Sequence, residues 1–76
     1  MSIKSQAPPQ ALINSVIELY SNNLMQEALD AVETLIKDYS NEAVLYNISG
    51  ACYAAQGQLD TAVKRYEQSL NINPYY

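Results

Sequence analysis

The side chains able to do chemistry in this 76-residue chain are eight carboxylates, one thiol and seven phenols, with no histidine. The carboxylates are Glu18, Glu27, Asp30, Glu33, Asp38, Glu42, Asp60 and Glu67. Paired acids act as general acid and base when a pocket shifts their pKa values and fixes their geometry. Here they fall on the polar sides of amphipathic segments, so solvated helix surface is the expectation. Cys52 stands alone among Ala51, Tyr53 and Ala54. One thiol cannot close a disulfide within the chain, and without histidine there is neither a zinc ligand set nor a Cys/His nucleophile pair. The nearest bases in sequence are Lys64 and Arg65, so Cys52 reads as a small buried hydrophobe rather than an activated thiolate. Gly50 and Gly57 are the only glycines, too few for a phosphate-cradling loop. No enzyme activity, cofactor or metal is expected.

Composition narrows the partners. Eight acids against four bases give a net charge of −4, which argues against nucleic-acid backbones and anionic membrane faces. Hydrophobic residues make up 49% of the chain, enough for a core, yet no apolar run approaches the roughly 20 residues of a membrane span. The first five residues lack the apolar core of a signal peptide, and a cytoplasmic setting is the default expectation. What remains is a protein or peptide partner.

The elements that would position such a surface are helices. Residues 1–8 read as a disordered N-terminal arm ending at Pro8-Pro9, and proline is tolerated at the first helical position. Leu12, Ile13, Val16, Ile17, Leu19 and Tyr20 then recur at helical spacing. Ser21-Asn22-Asn23 breaks the pattern, with asparagine suited to a left-handed turn. Met25, Ala28, Leu29, Val32, Leu35 and Ile36 form the stripe of a second helix, and Glu33 and Lys37 are a favourable i,i+4 pair on its other side. Ser40 or Asn41 can cap a third helix, Gly57 ends it, and Pro74 stops a fourth. The expected helices lie near 9–21, 25–38, 42–55 and 59–72, antiparallel and all-α.

The chain also repeats. A shift of 34 residues superposes Ala28 on Ala62, Glu33 on Glu67 and Ser15 on Ser49. Met25 falls on Leu59, Leu29 on Val63, Ile36 on Leu70, and the turn residue Asn23 on Gly57. The second copy, 43–76, carries Tyr46, Gly50, Tyr53, Gly57, Ala62, Tyr66, Leu70 and Asn73-Pro74. On these residues it resembles the tetratricopeptide repeat. The first copy, 9–42, is more divergent: Val16 stands for the small residue, Asn23 for the turn glycine and Ser40 for the closing proline. In the second copy Ser49 stands where the family places leucine and Ser69 where it places alanine.

The resemblance implies two helix-turn-helix repeats stacked as a short right-handed α-solenoid, with Gly50 and Ala62 where paired helices approach most closely. It also implies a concave groove lined by the first helix of each repeat. Residue by residue, that groove would present Gln10, Ile13, Ile17, Tyr20 and Ser21, then Val44, Asn47, Ala51, Ala54 and Ala55. Some grooves of this family clamp acidic peptide tails with Lys, Arg and Asn. Here Lys37, Lys64 and Arg65 all fall on second helices, and Ile48 occupies the place of the usual Asn. The groove therefore suits an apolar or helical peptide. Ile13 and Ile17 have a second reading, as core residues of a divergent first copy, and Tyr20 is either core or groove. Tyr39 is expected to pack in the link between the copies.

Three functions are consistent with this reading: a protein–protein interaction scaffold, a self-associating structural unit, and the targeting module of a larger transferase. The second follows from the final helix. Two repeats fall short of the three usually needed, and Tyr66, Leu70, Ile72, Tyr75 and Tyr76 leave its outer side apolar rather than polar-capped. A homo-oligomer is therefore expected, through end-face pairing or through exchange of hairpins should 38–42 become helical.

Overall fold

A computed structural model describes residues 8–75 of the chain. It is all-helical: α1 Gln10–Ser21, α2 Met25–Asp38, α3 Ala43–Ala55 and α4 Leu59–Ile72. No strand occurs among the described residues, and no helix among them is long and apolar enough to cross a membrane. Most of the expected disordered arm lies outside the described residues. Its last residue, Pro8, is buried. Pro9 sits just outside α1 rather than in its first turn, and its carbonyl accepts from the Leu12 amide at 3.0 Å.

Helix follows helix in a nearest-neighbour chain. α1 packs on α2, α2 on α3 and α3 on α4, with a smaller contact between α1 and α3. The core runs along these contacts through Val16, Ala28, Val32, Leu45, Tyr46 and Cys52. Leu45, Val32 and Cys52 lie wholly out of water.

The 34-residue repeat is visible in the backbone itself. The α1–α2 turn closes with hydrogen bonds from Asn23 to Tyr20 (3.0 Å) and from Leu24 to Leu19 (2.9 Å). The α3–α4 turn makes the same two bonds 34 residues on, Gly57 to Ala54 (3.0 Å) and Gln58 to Tyr53 (2.9 Å). Asn23 at φ 65° and Gly57 at φ 80° supply the left-handed residue each turn requires. α2 and α4 have the same length and the same offset.

The close approach in the second hairpin is between Gly50 and Tyr66. A Cβ on Gly50 would stand 2.8 Å from the Tyr66 ring, so only glycine admits the ring there. Ala62 is buried on the same helix pair.

One local expectation is corrected. α3 is not capped by Ser40 or Asn41. Its N-cap residue is Glu42, which makes no side-chain cap hydrogen bond, and the Glu42 carbonyl accepts from Leu45 at 3.1 Å. The Ser40 carbonyl is instead taken by the Tyr46 hydroxyl at 2.7 Å, which fixes the link from within the second hairpin. The link residues 39–42 are not helical, so α2 and α3 remain separate helices. Tyr39 is half-buried against the core, as expected of a link residue.

Candidate interaction surfaces

Three places concentrate the functional side chains: a cleft between α1 and α3, a polar cluster joining α2, α3 and α4, and the outer side of α4.

The cleft is lined by Ile17 and Tyr20 from α1 and by Asn47, Ile48 and Ala51 from α3, around a cavity of about 190 Å³. Successive turns of each helix place these residues together, because positions three and four apart share a face. Ile17 is 44% exposed, a high value for an isoleucine flanked by core positions. Tyr20 is half-buried and forms one wall. No charged group lines the cleft.

Of the expected groove residues, Ile17, Tyr20, Asn47 and Ala51 meet here. Ile13 does not: it is buried in the core one turn before Ile17 and faces inward with Val16. Gln10 is exposed at the start of α1 and donates to Asn14 at 3.0 Å. Ser21 is exposed at the end of α1. Val44 lines a different cavity, of about 350 Å³, with Ile72 and Asn73 at the far end of α4. Ala54 and Ala55 lie near the end of α3 and line neither cavity. Ile48 also belongs to the cleft, at the position the resemblance gives to the usual Asn, although it was not among the expected lining residues. Its signal was its spacing, one turn before Ala51.

The polar cluster was not expected as a unit. Glu33 on α2 is half-buried rather than solvated, and its partner is not Lys37. Its carboxylate accepts a 2.6 Å hydrogen bond from the Ser49 hydroxyl of α3 and forms an ion pair with Arg65 of α4. The Arg65 guanidinium also lies 5.5 Å from the centre of the Tyr46 ring. Ser49 is fully buried, and the hydrogen bond to a carboxylate offsets its desolvation. Ser69 is handled similarly, donating to the Ala43 carbonyl at 2.9 Å in a buried contact. Both serines, which depart from the repeat pattern, thus have a hydrogen bond that leucine or alanine could not make.

Cys52 is buried in the core next to this cluster, and burial together with the Glu33 charge pushes its thiol pKa up. That is the opposite of nucleophile activation. Among the described residues no group of three or more His, Cys, Asp or Glu side chains is placed to hold a metal.

On the outer side of α4, Tyr66 rests on Gly50 with its edge exposed, Leu70 is 48% exposed and Tyr75 is almost wholly exposed. Ile72 is not part of this side. It is half-buried, packed against the core and turned toward Val44. Tyr76 lies outside the described residues. Leu59 and Val63, both largely exposed, complete the surface. Their equivalence to Met25 and Leu29 in the repeat is the signal that locates them.

No family model, curated protein or solved structure matches this chain.

Proposed function

We propose that this chain is a non-enzymatic protein–protein interaction module of tetratricopeptide-like architecture, a short α-solenoid whose α1–α3 cleft receives an apolar side chain from a helical or apolar peptide. The observation that carries the reading is Ile17, left 44% exposed at a cavity whose other walls are Tyr20, Ile48 and Ala51. Full burial of an isoleucine side chain is worth about 1.5–3 kcal/mol, so leaving 44% of Ile17 exposed forgoes about 1 kcal/mol. A cavity of about 190 Å³ is below the usual range for a small-molecule pocket and suits a single anchoring side chain.

Titration of the full chain with a library of helical peptides, followed by amide chemical shifts, tests the reading. Binding should perturb Ile17, Tyr20, Ile48 and Ala51, and should depend little on salt because the cleft holds no charge. Ala51→Phe should fill the cavity and weaken binding at least tenfold. Peptide binding that is unchanged by Ala51→Phe, or that requires an acidic C-terminus, would refute the proposal.

A further inference from the structure

The outer side of α4 lacks the cover that the same side of α2 has. Leu59, Val63, Tyr66 and Leu70 form a stripe down α4, and a shift of 34 residues places them on Met25, Leu29, Val32 and Ile36. Leu29 and Ile36 are 6% and 8% exposed; Val63 and Leu70 are 53% and 48%. Leu29, Val32 and Ile36 of the α2 stripe are buried in the core with α3 alongside, and Met25 is half-buried.

The flank of the stripe shows what the cover supplies. At about 100° per residue, Gln26 and Glu33 lie together on one flank of the α2 stripe. α3 donates to both. Ser49 donates to Glu33 at 2.6 Å, and Gln56, the residue closing α3, donates to Gln26 at 3.0 Å. The two donors are seven residues apart, run antiparallel to their acceptors, and are joined at Glu33 by the cation of Arg65. On α4 the equivalent positions are Asp60 and Glu67. Both are exposed carboxylates, and neither has a hydrogen bond or ion pair among the described residues. Lys64 lies on the same flank, farther from the stripe.

We infer that the outer face of α4 docks a basic amphipathic helix of another protein, lying antiparallel to α4 with its apolar side on Leu59, Val63, Tyr66 and Leu70. Two Lys or Arg side chains seven residues apart meet Glu67 and Asp60. Charge separates this occupant from a second copy. In an antiparallel two-fold pair of α4 helices, like flanks meet, so Asp60 of each copy faces Glu67 of the other. The result is four carboxylates with only the two Lys64 ammonium groups beside them, a net excess of negative charge. A basic helix supplies what Ser49, Gln56 and Arg65 supply in the first hairpin. This surface is distinct from the α1–α3 cleft and does not depend on it.

The test uses the full chain and two synthetic helical peptides with the same leucine stripe. One carries Lys at two flank positions seven residues apart, the other Glu. Binding is read by fluorescence anisotropy and mapped by amide shifts. The Lys peptide should bind about tenfold more tightly at low salt, since two surface pairs contribute a few-fold each. The preference should shrink toward unity at about 0.5 M salt. Val63→Ser, at an exposed position, should abolish binding while the circular dichroism spectrum stays native. Glu67→Lys should reverse the preference, and Ile17→Ser should leave it unchanged. Equal affinity for the two peptides would overturn the inference, as would shifts confined to α1 and α3. A concentration-dependent dimer broken by Val63→Ser would also overturn it, by making a second copy the occupant.

Discussion

Removing the Ser49 hydroxyl tests whether the polar cluster holds the two hairpins together. Ser49 is fully buried and donates to a carboxylate, so the bond belongs to the stronger, charge-assisted class. Losing such a bond costs about 1.5–3 kcal/mol. Ser49→Ala should sit near the lower end, about 1.5–2 kcal/mol, because Glu33 keeps Arg65 and some water. The Arg65–Glu33 pair is itself mostly buried, at 20% and 27% exposure, so Arg65→Ala should cost about 1–2 kcal/mol, including the contact with Tyr46. A domain of this size is stable by roughly 4–11 kcal/mol, so either loss is a large fraction. Urea unfolding of the wild type, Ser49→Ala, Glu33→Ala and the double variant closes a thermodynamic cycle. The coupling between Ser49 and Glu33 should be about 1–2 kcal/mol, and Ser49→Ala should lower Tm by roughly 6–16 °C. Additivity within about 0.3 kcal/mol would show that the two side chains act independently and that apolar packing alone joins α2 to α3.

Two further outcomes follow from the backbone and the core. Gly57→Ala should cost about 1–2 kcal/mol in thermal melts, because φ 80° is left-handed, whereas Asn23→Gly at φ 65° should be nearly neutral; equal effects would mean that the turns are not equivalent. Burial raises the Cys52 pKa, so at pH 8 less thiolate forms than on a free cysteine, and a thiol-specific disulfide reagent should react at the rate of unfolding; a rate matching that of a model thiol would place Cys52 at the surface.

The helices were legible because their signals are local. Apolar spacing, Asn23, Gly57 and Pro74 located each helix to within a residue, and the turn hydrogen bonds repeat at the offset read from Ala28 and Ala62. What the sequence concealed was long-range. Glu33 has Lys37 one turn away and bonds instead to Ser49 and Arg65, 16 and 32 residues distant, because the helices deliver those donors to a partly dry site. Ser40 has the side chain of a cap but stands two residues before the Glu42 N-cap, and its carbonyl accepts from the Tyr46 hydroxyl. The cleft was half legible. Helical spacing puts Ile13 and Ile17 on one face, but only the crossing of α1 over α2 and α3 decides that Ile13 is covered and Ile17 is not.

The nearest-neighbour packing of the helices also bears on how the chain folds. Each helix meets chiefly the one before and the one after it, so few contacts require the closure of a long loop before they form. A topology of this kind has low contact order and folds quickly, without a slow search for distant partners. The helices are not equally tied in, however. α3 and α4 share the most extensive contact and are locked by the Gly50–Tyr66 approach, while α1 is held by a smaller contact and contributes only Ile13 and Val16 as buried residues. Stability is therefore graded along the chain, with the second hairpin as the last unit to open and α1 as the first to fray. The cleft has one wall on each of these regimes. Ile48 and Ala51 stand on the more extensively packed hairpin and Ile17 and Tyr20 on the less extensively packed helix, so fraying of α1 would widen the cavity while leaving Leu45, which lies on α3, in place.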